Sequence, residues 1–186
     1  VNVRAIQDAT ERFSNLLMEH QFRLDGVSPE GIGHRFTDGT VKIDILAPDG
    51  LDRRRAKLTT VPPVRTLSVP GGTQALRRSQ LIDVQLGELT GCIPRPDLLG
   101  AILIKARAVE VDDVPVAQLG DLAFLLSLVR DPRQLAGELR GKERSWLRHR
   151  KELHERRAAA WRDLPDEEAD NGHIAYCILA DVSSMD

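Results

Sequence analysis

Sulfur and aromatic rings are scarce in this chain: its 186 residues include two cysteines, two tryptophans, one tyrosine and four phenylalanines. Cys92 and Cys177 stand far apart with no C-x-x-C spacing, which excludes a disulfide framework and a cysteine-based zinc site. No run approaches the roughly 18 apolar residues of a membrane span, and no charged segment followed by an apolar one marks a secretory signal. A soluble protein of a reducing, cytoplasmic compartment is expected. Positive charge is not in excess either. Lys and Arg number 26 against 28 Asp and Glu, a net charge of −2, which excludes a histone-like or arm-like basic protein. The motifs G-x-S-x-G, G-x-x-x-x-G-K-[ST], H-E-x-x-H and G-x-G-x-x-G are all missing, so an elbow-type serine hydrolase, a P-loop enzyme and a Rossmann enzyme are disfavoured. A starting methionine is also lacking. Val1-Asn2-Val3 reads as the end of a strand in a fragment whose true start lies upstream.

What is present divides into strands first and helices after. Ile6, Ala9, Phe13, Leu16 and Leu17 recur at helical spacing, predicting an amphipathic helix over 4–20. Segments 34–36 and 41–46 flank an Asp38-Gly39 turn, a strong hairpin signal. A charged, proline-rich loop spans 52–63. A short strand over 66–69 then leads through Pro70-Gly71-Gly72-Thr73 into a short helix, with Thr73 as its N-cap. Further strands are expected over 81–86 and around Cys92. Asp97 caps a helix from Leu98 to about Val109, a second runs from Pro115 or Asp121 to Val129, and Asp131-Pro132 starts a third. Lys142 to Arg162 reads as one long charged helix. The class is α+β with a helical C-terminal half, divided into 1–94, 95–163 and an acidic tail over 164–186.

Charge is segregated along the helical half. Residues 133–163 hold ten Lys or Arg against five Asp or Glu, with Trp146 and Trp161 among them, while 164–186 hold six acids and no Lys or Arg. The basic segment is either a seat for nucleic-acid phosphate or a solvated face. The acidic segment, with Asp166, Glu167 and Glu168, can shield it in cis.

Three ionisable residues sit where the local pattern calls for hydrocarbon. Lys105 is the one charge among Leu98, Ala101, Ile102, Ala108 and Val109 on a helical stripe. It either extends to the edge of that stripe or faces an anion. Asp121 precedes an apolar run and either pairs with Lys105 or caps a helix after Gly120. Asp44 lies between isoleucines on a strand, where it reaches a metal if a second acid is adjacent, or else faces solvent. His34 is a weaker ligand candidate, and neither cysteine has a paired base in its sequence context.

Taken together, His34-Arg35-Phe36, the run from Val41 to Gly50, the run from Pro70 to Leu76, and Pro96 to Ala106 followed by Asp121-Leu122-Ala123 resemble nucleotidyltransferase-fold proteins. The resemblance is to the AbiEii-like abortive-infection toxins of the polymerase-beta-like superfamily and covers roughly residues 1–148. It implies a mixed β-sheet with helices, Mg²⁺ and a nucleoside triphosphate. It also implies transfer of a nucleoside monophosphate to an acceptor, which in toxin relatives is the 3′ end of tRNA, with a cognate antitoxin as partner. Lys105 would match the family's triphosphate-neutralising lysine, Asp121 the downstream acid that orients or deprotonates a group, and Asp44 the third carboxylate. The family's Gly-Ser pair and Asp-x-Asp strand are absent, so impaired metal binding is expected of this chain. The alternative is an inactive fold kept to bind nucleic acid, such as tRNA through Lys142 to Arg162, or a protein partner.

Overall fold

In the computed structural model the described residues are 3–51, 58–112 and 114–183. The chain is α+β and divides into two compact units, residues 1–73 and 74–186. The boundary thus falls earlier than position 94.

The first unit opens with α1 (Val3–Glu19), so Val3 belongs to a helix rather than to a strand; Val1 and Asn2 lie outside the described residues, as do 52–57 of the proline-rich loop. The helix is present as the periodicity predicts, but its inward face differs. Thr10, Ser14 and Leu17 are buried while Phe13 and Leu16 are each 45% exposed. Polar bonds set that orientation. The Ser14 hydroxyl donates to the Thr10 carbonyl (2.9 Å) and accepts the Val61 N–H (2.9 Å). The Gln7 amide bonds both backbone groups of Thr59, at 3.1 and 3.0 Å. Buried hydroxyls bonded this way cost little to desolvate.

Three short antiparallel strands follow, β1 (Arg23–Leu24), β2 (Arg35–Thr37) and β3 (Lys42–Asp44), and the expected hairpin joins the last two. Gly39 takes φ +98° at its tip, and the Asp38 carboxylate accepts the N–H groups of Thr40 and Val41 at 2.8 and 2.7 Å. Leu17, Phe36 and Ile45 form the small core of this unit. A parallel pair, β4 (Leu46–Pro48) with β5 (Leu67–Val69), is separate. With the later hairpin the strands fall into three small sheets rather than one mixed sheet. Asp49, not Thr73, caps the next helix, α2 (Gly72–Arg77): its carboxylate accepts the N–H groups of Gly71 (2.9 Å) and Thr73 (3.0 Å).

The second unit begins with a long hairpin, β6 (Ser79–Leu86) and β7 (Leu89–Pro96), turning through Gly87 at φ +61°. Glycine at the first turn position suits the twist of a two-residue hairpin. Among the described residues five α-helices follow: α3 (Leu98–Ala108), α4 (Pro115–Ser127), α5 (Pro132–Gly137), α6 (Glu143–Arg148) and α7 (Asp166–Ala180). Asp97 caps α3 through the Gly100 N–H (2.7 Å), and Asp131 caps α5 through the Gln134 N–H (2.9 Å), both as the sequence indicates.

The long basic helix does not exist. It breaks after α6 into single 3₁₀ turns at Lys151–Leu153 and Ala159–Trp161. The broken chain buries Leu147, Leu153 and Trp161 almost completely. The Arg150 carbonyl accepts both the Leu153 N–H (3.0 Å) and the Tyr176 hydroxyl (2.9 Å).

The acidic tail is likewise mostly α7, the central helix of this core. Its Ala169, Ala175, Tyr176, Leu179 and Ala180 pack with α3 and α4 residues such as Ile102, Leu103, Leu122 and Leu126. Gly172 is required there, because a Cβ would lie 2.8 Å from the Trp161 ring and 3.1 Å from the Ser127 nitrogen. Three acids in the first turn of α7 suit the positive end of its dipole. At the other end, Arg144 donates to the Leu179 carbonyl (2.9 Å) and Arg148 to that of Ala180 (3.1 Å). Among the described residues no helix is long and apolar enough to cross a membrane.

Candidate functional site

Lys105 and Asp121, sixteen residues apart, meet at the surface of the helical unit. Nearly the whole of α3 is apolar, so periodicity alone misjudges its inner face. The buried stripe is Leu99, Ile102, Leu103 and Ala106. Lys105 lies beside that stripe with its side chain 31% exposed. Its stem follows the apolar surface and its ammonium emerges at the edge. Asp121 sits inside α4, well past the first turn, so it is not a cap. It shares the outer face of α4 with Phe124 and Leu128, while Leu122, Ala123 and Leu126 point inward.

The Lys105 ammonium donates to Asp121 Oδ2 at 2.7 Å and to Gln118 Oε1 at 2.9 Å. Gln118 in turn donates through Nε2 to Asp112 Oδ2 at 2.6 Å, and the other Asp112 oxygen accepts the Val114 N–H at 2.7 Å. Asp112 is held below the usual carboxylate range first by the Val114 N–H, then by Gln118 and the nearby Lys105 charge. Sequence reading missed Gln118 and Asp112. The available signal was spacing: Gln118 and Asp121 stand at i and i+3 on one helix face. An ammonium has three N–H groups. Among the described residues two are engaged, leaving one for an anionic oxygen without breaking either existing bond.

Asp44 belongs to the first unit and has a different partner. It lies directly across the ladder from Arg35, whose Nε and Nη2 donate to its two oxygens at 2.8 and 2.9 Å. This two-pronged hydrogen bond holds the Asp44 carboxyl below its ordinary range, against a smaller opposing effect of burial. Both oxygens are engaged by a cation. Among the described residues no group of three or more His, Cys, Asp or Glu is gathered as a metal ion would need. At Asp44 the two oxygens that would hold a Mg²⁺ already hold the Arg35 guanidinium. His34 is half-buried, and its carbonyl accepts the Ile45 N–H at 2.7 Å.

The cysteines are poorly placed for nucleophilic work. Cys92 is exposed on β7 and bonded to Asp83 at 2.9 Å, which raises its thiol. Cys177 does have an imidazole nearby, His173 one turn earlier on α7, with Sγ 3.7 Å from Nε2. That nitrogen donates to the His154 carbonyl at 2.8 Å, so it holds a proton and cannot take one from sulfur. Burial also pushes the Cys177 thiol up.

Three arginines of the basic segment are turned toward other groups of this unit. Arg148 pairs with Asp181 (3.0 Å), and Arg150 is buried against Glu110 (3.2 Å). Arg156 bridges Asp166 and Asp170 of α7, the shielding in cis that the charge pattern suggests. Comparison with family models, with curated proteins and with solved structures returned no match to this chain.

Proposed function

We propose that the chain is a nucleotidyltransferase-like protein acting on a nucleoside triphosphate, with Lys105 facing the phosphates and Asp121 positioning it. The observation that carries this reading is the Lys105–Asp121 contact: a lysine with a spare donor, fixed by two side chains at the surface. In such a transfer an acceptor oxygen, on RNA or protein, bonds to the α-phosphorus and pyrophosphate departs. A fixed ammonium lowers the barrier by neutralising charge on the leaving phosphates. The Asp121 carboxylate and the Gln118 amide keep it from swinging away. Mg²⁺ would supply further charge neutralisation in such chemistry, while the Asp44 oxygens are already engaged by Arg35. A cytoplasmic, toxin-type role with a cognate antitoxin is part of the same proposal. A tRNA acceptor bound through 142–162 has weaker support, because Arg148, Arg150 and Arg156 already have acid partners.

The test is transfer of label from α-³²P nucleoside triphosphates to total RNA or to protein. Wild type is expected to label an acceptor and Lys105→Ala to lose that labelling while melting normally. Labelling undiminished in Lys105→Ala, or no labelling by wild type with any of the four nucleotides, would overturn the assignment.

A further inference from the structure

A cavity in the helical unit, apart from the Lys105 site, is lined by unused polar groups. It measures about 820 Å³ and is lined by α2, the start of β6, Asp97 and the segment from Gly137 to Trp146. That volume lies in the range of small-molecule sites. Two of its acids already have partners. Glu143 accepts Arg78 through both oxygens, at 3.0 and 2.8 Å, and also the Arg140 N–H at 2.8 Å. Asp97 caps α3. Arg77, Arg140 and Lys142 are exposed, and among the described residues their side chains have no hydrogen-bond or ion-pair partner, with Glu138 the one remaining acid in the lining. Trp146 is half-buried there, with the Arg107 guanidinium 5.1 Å from its ring centre.

Three unmatched cations around one cavity call for several negative charges held close together, and guanidinium and ammonium groups bind phosphate oxygens well. An aromatic ring beside them offers a surface for a flat group. A free nucleotide combines both features, whereas an RNA strand spreads its phosphates along an extended groove. We propose that this cavity binds a free nucleoside polyphosphate, with Arg77, Arg140 and Lys142 on the phosphates and Trp146 beside the base. The site is distinct from Lys105, which lies eight residues beyond Asp97, roughly 12 Å along α3. It does not depend on the transfer reaction proposed above.

Equilibrium dialysis with ATP separates the two sites when run in the Lys105→Ala background. Binding is expected to persist there and to weaken by about tenfold or more when Arg77→Gln, Arg140→Gln and Lys142→Gln are added. All three positions are exposed, so the melting temperature should not move. Four results overturn the proposal: no ATP binding in Lys105→Ala, affinity indifferent to the three glutamines, tripolyphosphate binding as tightly as ATP in the Lys105→Ala protein, or a single-stranded RNA oligonucleotide displacing ATP at lower concentration than ATP itself.

Discussion

Two ion pairs of the helical unit, Arg78–Glu143 and Lys105–Asp121, use the same chemistry for different ends. The first is buried, with side chains 13% and 6% exposed, and Glu143 has three donors on its two oxygens. The second is 31% and 58% exposed, and its lysine keeps an N–H in hand. A buried, fully satisfied pair fixes where α6 sits against the start of β6, and losing one member strands the other in low dielectric. An exposed pair contributes little to folding. It is free to exchange partners with a ligand. Equal distances therefore do not mean equal roles.

The sharpest way to break this contrast is to remove one acid from each pair. Glu143→Ala should cost about 3–5 kcal/mol in urea unfolding, since Arg78 stays buried without its partner. Asp121→Ala should cost less than about 1 kcal/mol. Similar losses for both would dissolve the distinction. Gly172→Ala should fall next, at about 1–3 kcal/mol, because the added methyl meets Trp161 and the Ser127 backbone, and calorimetry should record a lowered Tm. Tyr176→Phe should cost about 1 kcal/mol through the loss of its bond to the Arg150 carbonyl.

The smallest effect is on titration. Asp44 has a folded pKa below its unfolded value, so its contribution to stability is complete above the ordinary aspartate range and is lost as pH falls through the lowered folded value. Arg35→Gln should move the Asp44 carboxyl resonance toward an ordinary midpoint and flatten the acid limb of stability. An unchanged midpoint would mean that the pair is not formed in solution. In the Lys105 cluster, Lys105→Ala should raise the Asp112 midpoint only slightly, because the Val114 N–H is the leading cause of its depression.

Legibility in the sequence followed the range of the interaction. The Asp38-Gly39 hairpin, the Asp97 and Asp131 caps and the helices at 98–108 and 115–127 rest on groups within a few residues of one another, and each is present. The orientation of α1 was not legible, because Ser14 and Gln7 bond a segment more than forty residues away. The inner face of α3 was hidden by its nearly uniform apolar composition. The candidate site was half legible: Lys105 and Asp121 stood out as misfits, but Gln118 and Asp112 looked like ordinary loop and helix polars.

By itself the sequence determined the α+β class, the order of strands before helices and the local caps and turns. It also placed two misfit charges on neighbouring helices. Only the tertiary structure decided that the basic segment breaks and that the acidic segment becomes the central core helix. It also decided which charges find partners and which are left facing a cavity. Local rules depend on backbone geometry that any short segment carries. Partner choice depends on which surfaces packing brings within about 3 Å of each other, and no single segment contains that information.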